Sequence, residues 1–192
     1  MRLDLTAFVD ESIRRGPTGF YLLAAVLVRY DALPAAREAA RSVPLPGQRR
    51  FHWRSDSEAQ RRRMLATVSS LDGVNRGYVF APMGTCNPAR ARALCLNRLL
   101  WDLVEMGVDH LVIGSREAQN DDRDRRTIVQ AKRANRASTE LRYEFRRPHD
   151  EAALWLPDAA IAGAVAHERA TGDASYLDLL GDVQVSVVVT DP

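Results

Sequence analysis

The sequence predicts an α/β or α+β fold, with helices packed on a sheet that its leading hairpin allows to be mixed. Three observations carry this. Two apolar strand patterns, residues 3–9 and 20–28, open the chain and are separated by a turn rich in Gly and Pro. Helical and strand patterns then alternate to the C-terminal end, the order of a sheet with helices packed on it. Most helical patterns carry their own start or stop residues, so their ends are set locally.

Residues 3–9 (LDLTAFV) read as the first strand. Residues 20–28 (FYLLAAVLV) are apolar throughout, which suits a strand covered on both faces. Gly16-Pro17 and Gly19 between them signal a hairpin. Residues 31–42 read as a helix, which Pro44, Pro46 and Gly47 stop. Residues 49–54 form a short strand or an extended loop. Ser55 or Asp56 caps a helix reaching residue 71, with Met64, Leu65 and Val68 as its apolar stripe. Residues 74–81 are the third strand. Asn87-Pro88 opens a long helix to residue 106, which Gly107 ends. A strand at 110–113, a helix capped by Asp121 and running to 134, and a strand at 140–145 follow. Pro157 lies in the first turn of a helix to residue 170, and residues 181–190 form a last strand.

The 192 residues suit one domain, and 46% hydrophobic with 27% charged residues is ordinary for a globular chain. No apolar run is long enough to span a membrane, and Asp4 interrupts any signal-peptide pattern, so the expected location is the cytoplasm. Cys86 and Cys95 match no zinc spacing and read as small buried hydrophobes. The net charge of +2 hides an asymmetry. Residues 1–147 hold 26 basic against 17 acidic residues, a balance of +9; residues 148–192 hold one Arg against eight acids, a balance of −7. All the bases but Lys132 are arginine, which fits codon bias and equally fits phosphate binding by a bidentate fork. Charge leaves the oligomeric state open, since the acidic end could pair within one chain or between two copies.

Several positions could carry chemistry. Asp10-Glu11 end the first strand pattern, where a rigid strand can present a carboxylate to a cation; equally, Asp10-Glu11-Ser12 could begin a polar turn. Successive strand residues face opposite ways, so the two acids cannot share one metal if the strand continues. Asp158 shares a helical stripe with Leu154, Ile161 and Val165, an inward position that the helix dipole alone does not explain. The run 114–126 (GSREAQNDDRDRR) reads as a solvated loop and charged first turn, or as the source of a carboxylate (Glu117, Asp121, Asp124) and a phosphate contact, Arg116. Asp124 lies one turn before Ile128 and can face inward. His52, between Phe51 and Trp53 and followed by Arg54, reads as a packed strand-end residue or as a proton carrier on a basic, aromatic surface.

Taken together, FVDES at 8–12, YLLAAVLV at 21–28, LPGQRRFHW at 45–53, LVIGSRE at 111–117 with DDRDRRTI at 121–128, and LWLPDAAIAGAV at 154–165 resemble an uncharacterised bacterial family of RNase H-like fold, catalogued as domain of unknown function 3800. The resemblance implies an α/β fold with a mixed central sheet of about five strands flanked by helices, and a convergence of Asp10 and Asp158 in an acidic cluster that holds one or two Mg²⁺ or Mn²⁺ ions, with His52, Arg116 and Asp124 at family-typical positions. Two positions depart from the pattern. Ile13 replaces a Gly, and Gly114 stands where related sequences carry an acid. The expectation is a divalent-metal-dependent nuclease acting on nucleic acid. Asp10, Glu11, Asp158 and His52 would be its catalytic residues, Arg116 and Arg54 its substrate contacts, and Asp10, Asp158 and Asp124 its metal ligands. The alternative that Gly114 raises is a catalytically degenerate module of the same fold that binds nucleic acid or protein. A hydrolase of small phosphorylated molecules is a third reading, which a narrow pocket would favour.

Overall fold

The computed structural model describes residues 4–16, 19–80, 83, 86–134, 140–181 and 183–188. The expected strand ends at Leu3, Ala81, Val189 and Thr190, with Pro17 of the turn, lie outside these residues. The elements run β1 (Leu5–Arg14), β2 (Phe20–Arg29), α1 (Leu33–Arg41), α2 (Glu58–Ser70), β3 (Gly73–Phe80), α3 (Pro88–Glu105), β4 (His110–Gly114), α4 (Ala118–Ala134) and β5 (Arg142–Arg146). A 3₁₀ turn (Ala152–Leu154) then leads through α5 (Trp155–Pro157) and a π-helical stretch (Asp158–Gly163) into α6 (Ala164–Thr171), and β6 (Val183–Val187) follows.

The sheet is mixed, with strand order β5-β4-β1-β2-β3-β6. β1 and β2 are antiparallel, as are β2 and β3, while β4, β5 and β6 each add in parallel. The sixth strand arises because β6 pairs along β3 at one edge. The central strands are covered on both faces. On one face, Phe8, Leu22 and Val26 pack with Leu33, Met64, Leu65 and Ile161 of α1, α2 and the late helix. On the other, Val9, Leu23 and Leu27 pack with Leu96, Leu99 and Leu103 of α3 and Ile128 of α4. This two-sided cover is why β2 is apolar without alternation.

Three local expectations change. β1 does not turn at Asp10; it runs on to Arg14 because Asp10, Glu11 and Ser12 pair with Ala24, Leu23 and Leu22. The α2 cap is Ser57, which forms a reciprocal capping box with Gln60. Asp56 is instead buried and accepts the His52 N–H at 2.9 Å. α4 starts at Ala118, and Asp121 in its first turn accepts from the Ser115 hydroxyl and the Arg116 N–H. Residues 49–56 form a loop. No helix among the described residues is long and apolar enough to cross a membrane.

Candidate metal centre

Because β1 continues as a strand, Asp10 and Glu11 point to opposite faces. Asp10 faces the late helix. There Leu154, Ile161 and Val165 are fully buried around Asp158, so the stripe containing the acid does turn inward. Asp10 and Asp158 line one cavity of about 620 Å³, together with His52, Trp53, Arg50 and Arg54. Asp158 opens the π-helical stretch, a helix form often found at functional sites.

Burial, then the neighbouring Asp158 charge, raises the Asp10 carboxyl to about 7; the Glu11 N–H, 2.8 Å from Oδ1, offsets part of this. Burial also raises Asp158, against the pull of His52, the Trp53 N–H, Arg50 and Arg54. The two acids thus sit where their negative charge is poorly compensated.

That imbalance suits a hard divalent cation, which takes carboxylate oxygens and completes its shell with water and substrate phosphate. The donor set is minimal. Among the described residues no group of three or more His, Cys, Asp or Glu side chains forms a metal-holding cluster. Gly114 marks where a third carboxylate would enter: a Cβ built there lies 3.3 Å from Asp10 Oδ1.

The loop carrying His52 is held over the site by Trp53. Its ring lies against Gly163, meets Tyr176 edge-on at 5.1 Å and takes the Arg61 guanidinium over its face at 5.4 Å. Arg61 also donates to the Trp53 carbonyl at 2.8 Å, and Arg54 reaches the Ile13 carbonyl at 3.3 Å.

Glu11, Asp124 and Arg116 are not brought to the Asp10–Asp158 pair. Glu11 borders the cavity, but its carboxylate is engaged on the other face of the sheet. There the buried Arg92 makes a bidentate pair with Asp124, at distances of 2.7–2.9 Å, and reaches Glu11 at 2.8 Å and the Tyr21 hydroxyl at 2.9 Å. Tyr21 donates a short hydrogen bond to Glu11, and Arg116 bridges Glu11 and Asp124 at 3.2 and 3.1 Å. Burial opposes ionisation of Glu11, but Arg92 and Arg116 outweigh it and hold the carboxyl below its usual range. The expectation that Asp124 shares a cluster with Asp10 is therefore corrected: Arg92 neutralises it across the sheet. Arg92 itself is not among the residues that the sequence singles out. Its signal is present, an arginine on the α3 stripe with Cys95, Leu96 and Leu99.

No protein-family model and no curated protein matches the sequence. Solved structures do match by fold. One is a chain of the PCNA:RNase HII complex from Archaeoglobus fulgidus, with TM-score 0.56 and 14% identity over 86% of this chain and 73% of that one. Another is ribonuclease H2 from Pyrococcus horikoshii OT3, with TM-score 0.50 and 13% identity over 86% and 72%. The mixed sheet, its strand order and these neighbours together give the chain an RNase H-like fold.

Proposed function

We propose that this protein is a divalent-metal-dependent nuclease that hydrolyses phosphodiesters in nucleic acid at the Asp10–Asp158 pair. The observation that carries the reading is two half-buried carboxylates sharing a cavity also lined by Arg50 and Arg54. The RNase HII-like neighbours and the ordered resemblance to the family of unknown function support it. Asp10 and Asp158 would hold Mg²⁺ or Mn²⁺, an ion that polarises a phosphoryl oxygen and strengthens a water nucleophile. Arg50 and Arg54 would orient the phosphate with forked guanidinium contacts. His52 would move a proton at the leaving oxygen. Glu11, Arg92, Asp124 and Arg116 brace the end of β1 from behind.

Gly114 favours a second reading, a binding module of the same fold that has lost cleavage. One set of measurements separates the two. Mn²⁺ binding is followed by calorimetry for the wild type, Asp10→Ala/Asp158→Ala and Gly114→Asp, alongside cleavage of labelled DNA and RNA. The nuclease reading expects metal-dependent cleavage by the wild type, loss of Mn²⁺ binding and of cleavage in the double variant, and tighter Mn²⁺ binding in Gly114→Asp. Wild-type binding of nucleic acid without cleavage under either metal would establish the second reading. Full cleavage by the double variant would reject the site.

A further inference from the structure

We infer that a second arginine-lined cavity, beside the Asp10–Asp158 cavity, is a phosphate-binding subsite for the same nucleic-acid strand. This inference rests on the nucleic-acid reading above and names where the strand continues. The second cavity also measures about 620 Å³ and is lined by Arg41, Arg49 and Arg63, with His149 and Asp150 beside them. Asp150 is the one acid among its described lining residues, and it is turned to His149 Nε2 at 2.9 Å. The arginines therefore present an excess of positive charge to whatever enters.

Only a thin wall divides the two cavities. Trp155 lines both, and its indole N–H is tied to the Pro148 carbonyl at 2.5 Å. The backbone crosses this wall twice. Arg50 borders the first cavity and Arg49 the second; Pro148 borders the first and His149 the second. Two adjacent recesses, each lined by arginine, match a ligand whose negative charge repeats along its length. A single small phosphate would use one recess and leave the other arginines unneutralised. Arg63 is further oriented by its donation to the Val43 carbonyl at 2.7 Å, whereas Arg41 and Arg49 are exposed.

The test is fluorescence anisotropy in EDTA on the wild type, Arg41→Gln/Arg49→Gln and Arg50→Gln/Arg54→Gln. The probes are oligo(dT) of about 16 and about 4 nucleotides, the range of common single-strand site sizes, and a duplex of the longer length. Thermal melts establish that each variant is folded. The inference expects Arg41→Gln/Arg49→Gln to weaken the long single strand or the duplex at least tenfold. It also expects the salt slope for the single strand to fall by about 1.4, about 0.7 for each phosphate no longer neutralised, with the short probe changing less than about twofold. Whichever long probe shows the loss identifies the form of strand bound. Equal losses on the long and short probes, or none on either, would overturn the inference. If the long probes instead depend on Arg50 and Arg54 alone, nucleic-acid binding stands and the second cavity is rejected. A wild type that binds no probe overturns both readings.

Discussion

Asp10 loses part of its water on folding, gains a main-chain N–H from Glu11 and faces Asp158. Its carboxyl is raised from 3.8 to about 7, so the native state holds a proton there that the unfolded chain releases near pH 4. Stability from this group is complete below about 4, drains away as pH rises, and is gone above about 7. The loss across that window is on the order of 4 kcal/mol. Asp10→Asn keeps the shape without the charge, so its stability relative to wild type should improve steadily from pH 4 to 7 and then level off. Urea unfolding at half-unit pH steps checks this, and parallel curves for the two proteins would contradict it. The same sign applies to metal. A cation must displace the Asp10 proton, so Mn²⁺ affinity should climb with pH up to about 7, and Mn²⁺ should restore wild-type stability at pH 8 but not that of Asp10→Asn. Asp10 became a candidate by its place at the end of an apolar strand pattern, where a polar turn read as well, and by the family resemblance. Its protonation needed the tertiary structure, because Asp158 lies 148 positions away in the chain.

At the scale of elements, the late helix and the 49–56 loop form one unit. Gly163 ends the π-helical stretch, and its missing side chain makes room for Trp53: a Cβ there would come 2.2 Å from Trp53 Cδ2. Trp53 in turn supplies the backbone N–H that holds Asp158. Gly163→Ala should therefore cost about 1–3 kcal/mol through overpacking and displace the Trp53 ring. The Trp fluorescence maximum and the urea midpoint report both effects. With Trp53→Ala in the background the added methyl should cost far less, giving a strongly non-additive cycle. An additive cycle would mean the ring and the glycine are not coupled. In the sequence, Gly163 lies inside a helical pattern with nothing to set it apart, and the Phe51-His52-Trp53 run looks like a strand end. Neither local pattern records that the two segments touch, since a glycine selected for close approach looks the same as any other.

Across the whole molecule, the sheet separates two charged assemblies. The acid pair lies on the face covered by α1, α2 and the late helix, and the Arg92 network lies on the face covered by α3 and α4. β1 joins them, with Asp10 on one side and Glu11 on the other. Arg92 ties β1, β2, α3 and α4 through Glu11, Tyr21 and Asp124. Replacing it by Met leaves Asp124 and Glu11 without their main counter-charge, which should destabilise the protein by about 3–5 kcal/mol. Arg92→Lys should recover little, because an ammonium cannot reproduce the forked pair. Chemical denaturation of both variants decides this. A loss under about 1 kcal/mol in Arg92→Met would show that the network contributes little to holding the sheet and its helices together.

The local patterns settled a good deal. The apolar run 20–28, the Asn87-Pro88 start and Gly107 stop of the long helix, and the inward stripe of residues 154–165 were readable because each depends on near neighbours in the chain. Asp10 and Asp158 stood out for the same reason, as acids on otherwise apolar elements. The resemblance implied that Asp10 and Asp158 converge, but which of the named acids line one cavity was decided only in three dimensions. Strand alternation separates Asp10 from Glu11 only because β1 keeps pairing with β2 past Val9, and Asp124 is removed from the cluster only because Arg92 reaches it from another helix. Pairing and ion partners across the sheet are long-range contacts, and no window of adjacent residues carries them.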